Sequence, residues 1–600
     1  MKHGNYRGYW VITLLLALLV PILAACGGQA AAPAGTAEQA TTAPNTAAPT
    51  TNAPEATAAA PTTPAAAAPT AAPAAASGNT LRVNLVTWPD TLDPQDASIA
   101  NEIGVLTLAY EGLTRLDKDL KTVPAAAEKW AYNADATEVT FTLRDGLKYS
   151  DGSPLTAQDF VNAVRRSLDP RGVVGDYQST LFMIKGADAI LNTVVPTDEA
   201  KIPELFDKLG VTAPDAKTIK FELTQPTPYF HTLASLWVIY PAKQDLIDKG
   251  GETWYEDPAN QVGNGPFKLT AIDHAQNLIE LQANDNYWAG RPKLDGVKLM
   301  FIGDLAVALQ AYKNNEIDII GPDPNDVPTI KADPTLSKEY IEPLGSCTQS
   351  FELNNTKAPF DNKLVRQAFN VGLDRASFIR DALKGTSAET VTWIPPGYPG
   401  YDAEDKRLDF DAAKAKELLA QAGFANGAGL PEIKISYNSN NPATQGRVEY
   451  LIQMYEQTLG ITLVPDPIEG QTLNNMRKDV KTAPQFVYGG GWCADYPDPQ
   501  NWLSVFWQSS SPFAKNIGYK NADVDKLIAQ ADVEVDPTKR MQLYHDAQRL
   551  VIGDAPYIIR STSKASFLVK PYIQGIESTP QDSNTYPGMT TGLLNVTMAK

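Results

Sequence analysis

Cysteine and histidine are scarce in this chain, which has three cysteines and four histidines among its 600 residues. So few cysteines cannot form the disulfide framework of a small secreted domain, and so few histidines leave little for a histidine-rich metal site. Positive charge is also in deficit: 51 Lys and Arg stand against 69 Asp and Glu, which gives a net charge of −18. Non-specific nucleic-acid binding is therefore not expected, because it requires clustered basic side chains.

The usual short motifs of hydrolases and nucleotide-binding enzymes are missing from the sequence. The chain contains no His-Glu-x-x-His motif, no Gly-x-Ser-x-Gly nucleophile elbow and no Walker-type phosphate loop. The glycine run 489–491 lacks the Lys and Ser or Thr that would follow it in a phosphate loop. We predict a protein that is not an enzyme and that has neither a cofactor nor a metal site. An exported hydrolase that uses scattered carboxylates is the alternative.

Long apolar runs are missing as well, apart from one stretch at residues 11–20. This stretch is shorter than the about 20 residues that a membrane-spanning helix needs. Lys2 and Arg7 precede it, and a basic start followed by a short apolar run is the pattern of an export signal. The N-terminus therefore predicts a protein that functions outside the cytoplasm.

The segment after the apolar run, Leu23-Ala-Ala-Cys26, resembles the bacterial lipobox. The resemblance implies that residues 1–25 are a lipoprotein signal peptide, and that Cys26 becomes a lipid-modified first residue that anchors the protein to the cell membrane. A plain secretory signal is the alternative. Residues 26–79 are almost entirely Ala, Pro, Thr and Gly, a composition that cannot form a hydrophobic core. We expect this segment to be a disordered tether between the membrane and a folded body.

The folded body is expected to begin near residue 80, where strand and helix signals start to alternate. Residues 81–86 alternate apolar and polar side chains, as in a half-buried strand. Thr156 precedes Asp159 by three positions, a capping-box spacing that predicts the start of a helix. A second helix is predicted from Asp411, as N-cap, to Gly423. With 43% hydrophobic and 20% charged residues, the chain fits a globular α/β protein of several domains.

A series of segments in this body resembles the extracytoplasmic peptide-binding proteins of ABC importers, that is, the oligopeptide- and dipeptide-binding lipoproteins of extracellular solute-binding protein family 5. The matches occur in the same order along nearly the whole body, from about residue 80 to residue 575. The segment at 491–499, Gly-Trp-Cys-Ala-Asp-Tyr-Pro-Asp-Pro, is the most specific of them. The others are Tyr110–Leu113, Phe141–Gly152, Leu155–Phe160, Gly263–Phe267, Asn284–Trp288, Asn315–Asp318, Val365–Phe369 and Leu373–Arg375.

The resemblance implies a periplasmic-binding-protein-like α/β clamshell of two lobes (type II, cluster C) with an extra third domain. One lobe would be discontinuous and consist of residues 80–111, 241–346 and 560–600. Residues 112–240 would form the inserted extra domain, and residues 347–559 the opposing lobe. Ligand binding would then close the two lobes by a rigid-body motion at the chain crossings.

The resemblance also implies a function: a monomer that captures peptides and delivers them to an ABC transporter permease with its ATPase subunits. The same fold could instead bind another solute, such as a nickel complex, a cell-wall peptide, an opine or an oligosaccharide, because a fold does not fix the ligand. The Cys-Ala-Asp-Tyr segment favours peptides.

Asp495 is the predicted ligand residue, because it matches the ammonium-binding aspartate of the family. A protein that accepts many peptides must bind what all peptides share, and a carboxylate that meets the α-ammonium forms a charge-assisted contact of about 1.5–3 kcal/mol. The alternative is an aspartate that only caps a loop near Pro497. Trp492 is a candidate wall over a ligand side chain, and Asn438 a candidate partner of the peptide backbone; core packing and a solvated turn are the respective alternatives.

The partner of the peptide's terminal carboxylate is less defined in the sequence. Arg477 is the candidate, since a guanidinium can hold a carboxylate with two parallel hydrogen bonds. The residues just before Trp492 include no arginine, where the oligopeptide-binding members of the family have one. Cys347 and Cys493 match the positions of a disulfide in those members, which would place Cys493 beside the ligand site; two separate buried thiols are the alternative.

Overall fold

The structure is a computed structural model that describes residues 79–172 and 175–599. The predicted signal peptide, Cys26 and nearly all of the predicted tether lie outside the described residues. Among the residues that are described, no helix combines the length and the apolar character needed to cross a membrane.

The strands and helices follow one another along the whole described chain. The strands are β1 (Thr80–Asn84), β2 (Thr114–Leu116), β3 (Thr122–Pro124), β4 (Ala127–Tyr132), β5 (Glu138–Leu143), β6 (Val211–Asp215), β7 (Thr218–Glu222), β8 (Phe267–Asp273), β9 (Leu278–Ala283), β10 (Gly296–Met300), β11 (Ile319–Ile320), β12 (Tyr340–Ile341), β13 (Leu344–Leu353), β14 (Ser387–Ala388), β15 (Lys434–Asn438), β16 (Val464–Ile468), β17 (Phe486–Val487), β18 (Gly491–Cys493), β19 (Tyr557–Lys564), β20 (Phe567–Val569), β21 (Ile573–Gln574) and β22 (Thr597–Met598). The α-helices are α1 (Ala100–Ala109), α2 (Ala157–Leu168), α3 (Ala187–Leu191), α4 (Ile202–Asp207), α5 (Phe230–Leu233), α6 (Gln244–Gly250), α7 (Leu305–Lys313), α8 (Val327–Ala332), α9 (Leu336–Glu339), α10 (Lys363–Val371), α11 (Arg375–Ser377), α12 (Ala412–Gln421), α13 (Pro442–Leu459), α14 (Gly470–Met476), α15 (Pro499–Trp507), α16 (Pro512–Ile517), α17 (Ala522–Val533) and α18 (Pro537–Asp554).

Three sheets organise the fold. The β1 sheet has seven strands in the order β12-β20-β11-β1-β10-β9-β8, and the β5 sheet has four in the order β4-β5-β7-β6. The β13 sheet has the order β14-β19-β13-β17-β15-β16, with β18 also paired to β13. The β1 sheet combines strands that are distant in the sequence: Val83 pairs in parallel with both Leu299 and Ile319. The predicted boundaries of the lobes and of the inserted domain remain a prediction.

The local signals in the sequence correspond to observed elements. The predicted first strand is β1, with Leu81 and Val83 fully buried. The capping box at the start of α2 is confirmed, since the carboxylate of Asp159 accepts hydrogen bonds from the backbone N–H and the hydroxyl of Thr156 at 2.7 and 2.8 Å. Helix α12 is also confirmed, with the Asp411 side chain accepting from the Lys414 backbone N–H at 2.9 Å.

Two large hydrophobic cores hold the sheets. One core packs the β1 and β5 sheets together, and the other lies in the β13 sheet and the helices around it. Tyr496 follows a strand of the β13 sheet, yet its side chain is buried in the core of the β1 and β5 sheets. The segment around Tyr496 therefore bridges the two cores, and it is the segment that the sequence singled out.

Candidate functional site

The glycine run that leads into the first residue of β18 lets this segment lie close against β13. Gly489, Gly490 and Gly491 have backbone φ angles of 134°, 149° and 136°, which residues other than glycine rarely adopt. A Cβ on Gly490 would lie 2.7 Å from Cγ of Glu352, and one on Gly491 would lie 2.1 Å from the carbonyl oxygen of Thr348. A side chain at position 491 would therefore push β18 away from β13, and one at position 490 would displace the side chain of Glu352.

The close approach of β18 to β13 places the two remaining cysteines opposite each other. Cys493 of β18 pairs in register with Cys347 of β13, and a disulfide joins them across a sequence separation of 146 residues. The bond ties the start of the 493–499 segment to the start of β13. Asp495 is therefore held two residues from a covalent link.

The carboxylate of Asp495 is bound by neutral groups. It accepts a hydrogen bond from Nδ2 of Asn501 at 2.8 Å and one from the hydroxyl of Tyr177 at 3.1 Å. Within residues 79–172 and 175–599, no Lys, Arg or His nitrogen lies within 4.0 Å of it. Burial raises the pKa of Asp495, and the bonds from Asn501 and Tyr177 offset this only in part. The site thus holds a half-buried carboxylate that lacks a cation.

Asn501, on α15, sets the position of both predicted residues of the loop. Its Oδ1 accepts from the backbone N–H of Asp495 at 3.1 Å and from Nε1 of Trp492 at 3.0 Å. The Trp492 ring packs edge-on against Phe506 and Phe513, with centroids at 5.4 and 4.9 Å. Trp492 is thereby fixed as a wall beside Asp495. No motif in the sequence pointed to Asn501.

Asp495 lies where two cavities meet. The larger has a volume of about 820 Å³, and its wall includes Asp495, Trp492 and Tyr177. The same cavity has two further carboxylates, Asp176 and Asp532, and none of the described residues in its wall is a Lys or an Arg. The smaller cavity, of about 110 Å³, also includes Asp495. A ligand in the larger cavity would meet one strongly acidic, partly aromatic surface.

A buried ion pair between Asp498 and Arg540 fixes the end of the 493–499 segment, where α15 begins. Both carboxylate oxygens of Asp498 accept from the guanidinium of Arg540, at 2.7 and 2.8 Å, and Asp498 also caps α15 by accepting from the backbone N–H of Gln500 at 2.9 Å. Burial by itself would lower the pKa of Arg540, but the charge and hydrogen bonds of Asp498, together with the nearby Tyr544 and Tyr229, outweigh burial and raise it. Asp498 therefore caps α15, the helix that carries Asn501, and Arg540 compensates its negative charge.

Asn438, Arg477 and Cys493 do not line either cavity that Asp495 lines. The exposed Asn438 ends β15, and its side chain accepts from the backbone N–H of Asn440 at 2.9 Å, a local turn. Arg477 forms an ion pair with both oxygens of Glu352; its Nε lies 2.8 Å from Oε2. The positive charge of Arg477 is thus compensated within the protein.

Asp532, in the wall of the larger cavity, is a buried acid that should make the free energy of unfolding depend on pH. Burial raises its pKa to about 6, despite hydrogen bonds from Ser504 at 2.5 Å and Tyr544 at 2.6 Å. An aspartate in an unfolded chain has a pKa of about 3.9, so the native state binds more protons between these values. The contribution of Asp532 to the free energy of unfolding therefore falls as the pH rises from about 4 to about 6.

Asp532→Asn is expected to be more stable than the wild type at pH 7, by up to about 3 kcal/mol, because it removes a buried charge and keeps an acceptor for Ser504 and Tyr544. The gain should vanish at pH 4. Urea unfolding at both pH values measures it, with Asp523→Asn on the exposed face of the same helix as the control. A variant that is less stable at pH 7 would contradict the prediction.

Comparison with known proteins places this geometry in a family. The family described as bacterial extracellular solute-binding proteins, family 5, matches residues 121–513. The oligopeptide-binding protein OppA of Bacillus subtilis is 31% identical over 490 residues, which cover 80% of this chain and 86% of that protein.

Solved structures agree with this result. The unliganded open form of the periplasmic murein tripeptide binding protein MppA has a TM-score of 0.76 and 26% identity, and the match covers 88% of this chain and 98% of that one. Haemophilus influenzae OppA in complex with RPPGFSPFR has a TM-score of 0.63 and 27% identity, with 87% and 99% covered. These matches confirm the predicted α/β clamshell with its extra domain. The chain belongs to the bacterial extracellular solute-binding proteins of family 5.

Proposed function

We propose that this protein binds peptides outside the cytoplasm by their free amino terminus and delivers them to an ABC importer. The observation that carries the proposal is the Asp495 carboxylate, which faces a cavity with only neutral partners. A carboxylate away from bulk water is costly unless a cation joins it. The α-ammonium of a peptide brings the missing charge and three N–H donors, which form short, strong bonds to a carboxylate.

The size and the lining of the larger cavity are compatible with a peptide ligand. Its volume of about 820 Å³ is within the range of roughly 300–1,000 Å³ that is usual for ligand sites. Aromatic side chains in its wall, such as Trp492 and Phe513, suit the apolar parts of a peptide. The relatives also support a peptide ligand, since one is named as an oligopeptide-binding protein and one solved structure is a complex with the nine-residue peptide RPPGFSPFR.

The delivery step concerns the part of the chain before the described body. We propose that Cys26 carries the lipid anchor and that residues 26–79 tether the monomeric binding protein to the membrane, near a permease and its ATPase subunits. The lipobox-like Leu23–Cys26 and the Ala-, Pro- and Thr-rich composition support this part of the proposal.

Calorimetric titration with a peptide and its N-acetylated form tests the capture step. Acetylation removes the positive charge from the amino terminus and leaves the rest of the peptide unchanged. We expect the acetylated peptide to bind at least tenfold more weakly, since about 1.4 kcal/mol corresponds to a factor of ten. Equal affinity for both forms would reject Asp495 as an ammonium site, and binding of neither would reject peptides as the ligand.

A further inference from the structure

Asp532, on α17, has one carboxylate oxygen that is left without a partner. Its two hydrogen bonds, from the Ser504 hydroxyl at 2.5 Å and from the Tyr544 hydroxyl at 2.6 Å, both end on Oδ1. Oδ2 accepts no hydrogen bond from the described residues, and it is not among the side-chain atoms that are sealed off from solvent. Because Asp532 belongs to the wall of the larger cavity, Oδ2 is available to a ligand there.

The charges around Asp532 are not balanced. Arg540 directs both of its Nη atoms to Asp498, at 2.8 and 2.7 Å. Its link to Asp532 is indirect and passes through the Tyr544 hydroxyl, which lies 3.2 Å from Nη2. In the described part of the chain, no Lys, Arg or His nitrogen lies within 4.0 Å of the Asp532 carboxylate. One guanidinium thus serves two carboxylates, and a further cation that reached Asp532 would be stabilised by it.

A second polar group of the same cavity wall also lacks a partner. Tyr229, just before α5, is only 3% exposed, and its hydroxyl forms no hydrogen bond with any described residue. A buried tyrosine hydroxyl usually finds such a partner. Burial is the main cause that raises the pKa of Tyr229, and the Asp532 charge is the next. The phenol therefore keeps its proton at neutral pH, lies near Asp532, and has an oxygen that can accept from a ligand.

Helix α15 positions Asp532 relative to Asp495. Asn501 of this helix donates to Asp495 at 2.8 Å. Ser504, three positions later, donates to Asp532 at 2.5 Å. Side chains three positions apart share one face of a helix, with Cβ atoms roughly 5–6 Å apart. The two carboxylates are therefore held at neighbouring points of one cavity wall, a spacing that suits the α-ammonium of a peptide and the end of a long basic side chain close to it.

We propose that Asp532 and Tyr229 form a subsite for a basic side chain, so that the protein prefers peptides with Lys or Arg at the first or second position. This inference rests on the proposed function, in which Asp495 binds the α-ammonium. The side-chain cation would donate to Oδ2 of Asp532 and to the hydroxyl oxygen of Tyr229. Asp176, the other acid of the wall, is exposed, so solvent screens its charge and it adds little to the preference.

Calorimetric titration at pH 7 with alanine tripeptides that carry lysine or norleucine at the first or second position tests the proposal. Norleucine has the carbon chain of lysine without the amine. At one of the two positions at least, we expect lysine to bind at least about fivefold more tightly than norleucine, because it adds a charge-assisted hydrogen bond. Asp532→Asn should reduce this ratio to less than about twofold, since it removes the charge. Tyr229→Phe should reduce it in part. Asp176→Asn is the matched control in the same wall, and it should keep the ratio.

The outcomes separate this subsite from the proposed function. Equal binding of the lysine and norleucine peptides by the wild type, while N-acetylation still costs about tenfold, would overturn the subsite and leave the proposed function intact. A ratio that survives Asp532→Asn, or that Asp176→Asn also removes, would overturn the assignment to Asp532. If Asp532→Asn does not fold, Tyr229→Phe decides: an unchanged ratio overturns the proposal, and a reduced one supports it. If no peptide binds, both the subsite and the proposed function fail.

Discussion

Asp495→Asn is expected to lower the affinity for a peptide with a free amino terminus at least tenfold, while the melting temperature stays nearly unchanged. Asparagine has almost the same shape: its side-chain oxygen can still accept from Asn501, and its NH₂ group can donate to the hydroxyl oxygen of Tyr177. The variant loses only the negative charge that meets the ammonium, and a charge-assisted bond contributes about 1.5–3 kcal/mol. Calorimetric titration of one peptide with both proteins measures the loss.

Asp176→Asn is the matched control for this experiment. Asp176 also lies in the wall of the larger cavity, so the control removes the same charge from the same surface. We expect the control to change the affinity less than about threefold, because a charge that does not contact the ammonium is screened by solvent. Equal losses in the two variants would show that the cavity attracts cations in general, and that Asp495 has no particular role.

The pH dependence of binding gives an independent check on Asp495. Since burial raises the pKa of Asp495, its carboxylate becomes protonated at a higher pH than an ordinary aspartate. Peptide affinity should therefore be highest above this pKa and fall as the pH falls through it. Asp495→Asn should lack this acid limb. Parallel profiles for both proteins would contradict the assignment.

Arg540→Met is expected to reduce the free energy of unfolding by about 3–5 kcal/mol, because it leaves Asp498 buried without its partner. The side chains of the pair are only 11% and 10% exposed, so solvent cannot replace the lost bonds. Arg540 also stands 4.8 Å from the ring centroid of Tyr229, a contact that methionine replaces only in part. Urea unfolding of the variant and the wild type at pH 7 measures the change.

The double variant Arg540→Met/Asp498→Asn separates the charge effect from packing. Asparagine still caps α15 but carries no charge, so most of the lost stability should return. Arg380→Met, which breaks a pair whose side chains are 67% and 38% exposed, should cost less than about 1 kcal/mol. If the double variant is no more stable than the single one, the loss comes from packing and not from the unpaired Asp498.

The short-range features of this protein could be predicted from neighbouring residues. The capping box of Thr156 and Asp159 and the N-cap of Asp411 involve groups within three positions of each other, so their spacing already specifies the bonds. The family followed from many short motifs in a fixed order. One of these motifs identified Asp495, but no motif predicted that its hydrogen-bond partners would be the neutral side chains of Asn501 and Tyr177.

The partners of the charged groups depend on the folded arrangement of the sheets. Tyr177 and Asp495 are 318 positions apart, and Arg477 and Glu352 are 125 positions apart. The order and register of the strands bring such distant groups together, and a local pattern of residues does not determine that order or register. For this reason the motifs identified the aspartate that should meet a peptide, while the compensation of the Arg477 charge by Glu352 of β13 emerged only from the folded structure.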